Sequence, residues 1–108
     1  MTEEIPREIR GYLDGLLRKL RGVDPHVEVY LIGSYARGDW LRDSDIDLII
    51  VSKAFKGLDL GRRYRLVKEL AGAGFGLDLL TYTPEEFKKV KKRSIIIQDA
   101  LEYAIRLC

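Results

Sequence analysis

The chain has 108 residues, 46% of them hydrophobic and 33% charged, and a formal net charge of +2. That length suits one domain, taken as 1–108, and the composition excludes a disordered or fibrous chain. The small net charge gives nucleic-acid binding no support, and no apolar run approaches the roughly 18 residues of a membrane span.

Met1-Thr2-Glu3-Glu4 is acidic where a secretory signal would be basic and then apolar. The single cysteine, Cys108, cannot form an internal disulfide. Both features fit a reducing cytoplasm. Self-association is left open.

Ile5, Ile9, Leu13, Leu16, Leu17 and Leu20 recur at spacings of three and four, which predicts an amphipathic helix over 3–21 with Pro6 near its first turn. Gly22 to Pro25 breaks it. A first strand is expected over 26–32 and a short helix over 34–37. A second strand over 45–52 is apolar on both faces beyond its two aspartates, which calls for helices on at least one side. Lys53 to Leu58 reads as a loop. A helix over 59–72 ends at Gly72, and glycines at 74 and 76 lead into a third strand, 77–82. Thr83-Pro84-Glu85-Glu86 has the form of a capping box opening a helix over 84–92. Ile97, Leu101, Ala104 and Ile105 extend the helical pattern over 95–107, with Ser94 as cap. The order predicts an α/β (α+β) fold: a sheet of three to four strands with helices packed on one face.

The stretch 31–51 organises the rest. An apolar run ends in Gly33-Ser34; after ten intervening residues the chain re-enters an apolar run through Asp45-Ile46-Asp47. Side chains at i and i+2 of a strand share a face, so Asp45 and Asp47 point the same way. Two adjacent carboxylates repel each other unless water or a cation lies between them. Here the flanking run is too apolar for a solvated strand, which makes a divalent metal the sharper reading. Asp78, within Gly76-Leu77-Asp78-Leu79-Leu80, is likewise costly to bury without a partner, and faces the pair if the second and third strands are neighbours. Its alternatives are pairing with a buried arginine or capping a turn. Asp43 reads as a loop residue, Ser44 as bonding its own turn, Trp40 as loop packing, and Tyr35 and Tyr82 as core.

Gly33-Ser34-Tyr35-Ala36-Arg37-Gly38 with Ser44-Asp45-Ile46-Asp47-Leu48 resembles the polymerase-beta nucleotidyltransferase superfamily, and within it the minimal nucleotidyltransferases (MNT), many of them antitoxin partners of HEPN-domain proteins. The resemblance covers nearly the whole chain. It implies a mixed-sheet palm, with Asp45, Asp47 and Asp78 as catalytic carboxylates holding two Mg²⁺ ions, and Gly33 and Ser34 against the phosphates of a nucleoside triphosphate. Arg37 is close enough in sequence to steady the leaving pyrophosphate; a plain surface ion pair is its other reading. The resemblance further implies transfer of AMP from ATP to a tyrosine of a HEPN toxin, silencing it. Two other functions compete: a partner-masking module with vestigial nucleotide binding, and an RNA 3′-end nucleotidyltransferase. The cluster Lys88-Lys89 with Lys91-Lys92-Arg93 is the only support for the latter, and nucleic acid is not an expected partner.

Overall fold

The computed structural model describes residues 5–108, in which one four-stranded sheet runs in the order β3-β2-β1-β4. The elements are α1 (Arg7–Val23), β1 (Glu28–Ile32), α2 (Gly33–Arg37), β2 (Ile46–Val51), α3 (Leu60–Ala71), β3 (Leu77–Tyr82), α4 (Pro84–Arg93), α5 (Ile95–Tyr103) and β4 (Ile105–Arg106). β1 pairs antiparallel with β2 and β4, while β2 and β3 run parallel. The sheet is therefore mixed.

α1 begins one residue after Pro6, whose extended backbone holds the entry; the expected start at residue 3 lies outside the described residues. Its stripe of Ile9, Leu13, Leu16, Leu17 and Leu20 is buried. With α3 it covers the face formed by Val29, Leu31, Ile46, Leu48, Ile50 and Leu77. α4 and α5 cover the opposite face, where Phe87 and Ile97 pack on Ile49 and Val51. Helices thus lie on both faces, not one. The reason is in β2: every residue but Asp47 is buried, so the strand needs cover on each side.

The segment 53–58, expected as a loop, opens with a 3-10 turn over Lys53–Phe55 that buries Phe55. The final helix is shorter than its periodicity predicts. It stops at Tyr103, and Ile105 crosses to pair with Leu31, with Leu107 donating to the Val29 carbonyl at 2.8 Å. Ile105 satisfies a helical stripe and a strand equally well; the open backbone of β1 decides between them, because unpaired buried amides are costly. The Thr83–Glu86 capping box and the Ser94 cap form as expected.

Two buried polar networks join the elements. Asp24 is buried and accepts from Ser52 Oγ at 2.8 Å and from the His26 and Lys53 amides. Burial alone would raise its carboxyl, but these donors bring it below the ordinary value. Arg63 is also buried. Its guanidinium donates to the Leu58 and Thr81 carbonyls at 2.8 and 3.1 Å, and bidentately to Glu86 at 2.7 and 3.1 Å. That pair lowers the Glu86 carboxyl from 4.5 to about 2.

Glu86 is about half exposed, so replacing Arg63 by Met should cost about 2 kcal/mol, less than a fully buried pair, and lower Tm by about 10 °C. A carboxyl lowered by folding stabilises the protein above its unfolded value. The pair's contribution is therefore present above pH 4.5 and lost as pH falls towards 2. The variant should show a flatter stability profile across that window in thermal melts. An unchanged acid limb would refute the assignment.

Candidate active site

β1 ends at Ile32, which lies opposite Asp47, and the chain turns at once into α2. The turn requires Gly33 at φ 72°, and a Cβ there would overlap the Asp47 carboxyl group. The glycine thus brings the backbone of the corner directly against Asp47. In the parallel register Asp47 stands opposite Asp78. One step earlier, Asp45 lies over Gly76, and a Cβ on Gly76 would overlap the Asp45 carboxylate. Asp47 and Asp78 therefore stand side by side at the entrances of β2 and β3, next to the carboxyl-terminal end of β1, with Asp45 at the residue that precedes β2.

Their electrostatics reflect the crowding. Asp47 is half-buried, and its carboxyl is held above the ordinary range, first by burial and then by Asp78 and Asp45. The Asp78 carboxyl is also within hydrogen-bonding reach of it, whereas the charge of Arg37 acts the other way. Two carboxyls in that contact need a proton or a cation between them.

Asp47, Asp78 and Gly33 line a cleft of about 410 Å³ whose far wall is α5, through Ile96, Asp99 and Tyr103. Asp45 opens instead on a neighbouring hollow of about 530 Å³ with Tyr35 and Trp40, whose rings stack at 5.3 Å. Arg37 is exposed and donates to Asp39 and to the Tyr103 hydroxyl, each at 3.2 Å. Asp43 is an exposed loop residue at the edge of the Asp45 hollow. Ser44 Oγ accepts from the Leu41 amide, bonding its own turn. Asp78 does not meet the buried arginine, whose carboxylate partner is Glu86. Lys88 and Lys91 border a separate recess with Glu28 and Glu85, away from the cleft.

Asp99 and Tyr103 belong to no motif in the sequence. Their signal is present in it: Ile96, Asp99, Ala100 and Tyr103 repeat at helical spacing on a face of α5 next to the buried one. The three isoleucines at 95–97 obscure that pattern.

Asp47 and Asp78 thus rise from adjacent strands beside the glycine corner, with Asp45 just ahead of β2. The family model described as a nucleotidyltransferase domain matches residues 11–104. The chain belongs to that family. This nucleotidyltransferase domain is 31% identical over 93 residues to a Methanocaldococcus jannaschii protein described as a putative protein adenylyltransferase, covering 86% of each chain. A second protein of that organism with the same description is 43% identical over 51 residues, about half the length of either protein (47%). The fold matches a crystal structure described as that of a putative nucleotidyltransferase from Sulfolobus solfataricus, with a TM-score of 0.55 and 25% identity, covering 91% of this domain and 83% of that chain.

Nucleotidyltransferase domains generally use divalent metal ions. Among the described residues, no three His, Cys, Asp or Glu side chains are drawn together as a ready-made metal cage. The donor set nonetheless suits Mg²⁺, which takes one or two carboxylates and completes its shell with water and substrate phosphates. The crowded Asp47–Asp78 pair is such a donor set. Among the described residues no helix is long and apolar enough to cross a membrane.

Proposed function

We propose that the protein transfers a nucleoside monophosphate, AMP from ATP, to a hydroxyl of a partner protein. The observation that carries the proposal is the cross-strand pair Asp47–Asp78 set against the Gly33 corner. The relatives described as protein adenylyltransferases support AMP as the group and a protein as the acceptor.

Asp45, Asp47 and Asp78 would hold Mg²⁺, two ions in the full arrangement, supplying charge neutralisation of the triphosphate and acidification of the acceptor hydroxyl. Gly33 lets the phosphates approach the backbone, where the Ser34 amide and hydroxyl can donate to them. Arg37, exposed at the rim, turns to the leaving pyrophosphate. Catalysis is then mainly positioning and charge neutralisation. From the resemblance in its motifs, we take the partner to be a HEPN-domain toxin, its acceptor a tyrosine, and the protein an antitoxin, cytoplasmic and acting as the 1–108 domain.

The test is incubation with labelled ATP, Mg²⁺ and the protein encoded by the neighbouring gene. Label should appear on that protein, and Asp45→Ala should remove it. No transfer with any of the four nucleotides would sink the proposal. Neutralisation of the partner by Asp45→Ala as fully as by wild type would show masking by binding alone.

A further inference from the structure

Nucleotidyl transfer needs an acceptor hydroxyl that can reach Asp47 and Asp78, and the cleft these two line has a hydroxyl-bearing side chain of its own. Of the residues lining the cleft, Tyr103 alone bears a hydroxyl. Its oxygen accepts from Arg37 Nη1 at 3.2 Å, and the guanidinium carbon lies 5.5 Å from the centre of its ring. Arg37 in turn is close enough to Asp47 for its charge to act on that carboxyl. The two contacts tie the phenol oxygen to the carboxylate patch from the α2 side.

Asp99 stands four residues before Tyr103 on α5 and lines the same cleft, so the two share a helix face. It is exposed to water. Three other tyrosine hydroxyls are engaged elsewhere: Tyr12 with the Gly72 carbonyl, Tyr30 with Glu28 and Tyr35 with the Ser44 carbonyl.

We infer that Tyr103 is an internal nucleotidyl acceptor, modified by the chain's own site when no partner hydroxyl occupies the cleft. The inference rests on the nucleotidyl-transfer reading above. The phenol oxygen forms a bond to the α-phosphorus of a bound nucleoside triphosphate. The bond from that phosphorus to the oxygen bridging to the β-phosphate breaks, and its electron pair leaves with pyrophosphate. The phenol proton passes to the Asp99 carboxylate and then to water. The product is a phosphodiester on Tyr103, its negative charge set against Arg37. It fills the cleft, so the reaction stops at one nucleotide per chain and leaves the site closed to an external acceptor.

The experiment uses the full chain with ATP and Mg²⁺ and no partner, read by intact mass, by peptide mapping and by pyrophosphate release. The expected result is one nucleotidyl group per chain, mapped to Tyr103, with a first-order rate unchanged on tenfold dilution of the protein. Tyr103→Phe, which keeps the ring over Arg37, and Asp47→Asn should both reduce the adduct to background. Several outcomes overturn the inference: an adduct on another residue, a rate that falls in proportion to dilution, or equal labelling of Tyr103→Phe. Label that appears only on an added acceptor protein, with pyrophosphate released, also overturns it, while leaving the transfer reading intact. Absence of pyrophosphate with all four nucleotides, with and without the acceptor, removes both.

Discussion

Asp47→Asn should lower nucleotidyl transfer about a thousandfold or more and, without divalent metal at neutral pH, should raise Tm. The first effect follows from charge: losing a single transition-state-stabilising group costs about 10²–10³ in rate, and Asp47 is the carboxylate on which both Asp78 and Asp45 act. The second follows from linkage. Folding raises the Asp47 carboxyl by burying it beside Asp78 and Asp45. A group raised by folding stabilises fully below its unfolded value, 3.8, and that stability is lost as pH climbs through the raised value. As pH rises towards 7 that contribution is lost in the wild type, whereas asparagine has no carboxyl to set against Asp78 and Asp45. Melts at pH 3 and pH 7, with and without Mg²⁺, check this. The gap between variant and wild type should open at the higher pH, and Mg²⁺ should stabilise only the wild type. A variant less stable than wild type at pH 7 without metal, or one still active, would overturn the account.

Gly33→Ala should damage both fold and activity, whereas Gly76→Ala should damage activity with little cost to the fold. At Gly33 a Cβ meets two penalties. The left-handed backbone costs a side chain roughly 1–2 kcal/mol, and the Asp47 side chain from Cβ to its carboxyl stands in the way. Tm should fall by roughly 5–10 °C. Transfer should fall by about 10²-fold, the scale of a 1 Å misplacement. At Gly76 the obstacle is chiefly the mobile end of the Asp45 side chain, and the backbone is not left-handed. That carboxylate swings aside, the fold holds, and the loss shows as a higher Mg²⁺ requirement. Thermal melts beside Mg²⁺ titrations of activity separate the two. A Gly33→Ala protein with wild-type melting and rate would show that the corner does not set Asp47.

How much of this was legible in the sequence depends on whether the signal was local. The buried stripe of α1, the Thr83 capping box and the spacing of Asp45 and Asp47 are local patterns, and reading them needs nothing from the rest of the chain. The register placing Asp78 opposite Asp47 is not local; it depended on β2 and β3 being neighbours, which the sequence allowed without requiring. β4 was missed because Leu101 to Ile105 satisfies a helix period, and only the vacant edge of β1 resolves it. Helices on both faces were missed although β2 was apolar on both sides, because which helix covers which face is a tertiary choice. In the sequence Gly76 is only a glycine ahead of β3, yet its lack of a side chain makes room for Asp45. Arg63 stands beside Arg62 and two residues from Arg65 in the sequence, and its burial depends on carbonyls and a carboxylate contributed by Leu58, β3 and α4.

The strand order has a mechanical consequence. Asp47 belongs to β2, gripped by β1 on one side and β3 on the other, with helices above and below. Asp78 belongs to β3, which is held by β2 alone along one border. One jaw of the pair is stiff and the other compliant. Adjustment of the gap between them, as charge enters or leaves, falls to the outer strand while the inner one keeps its position.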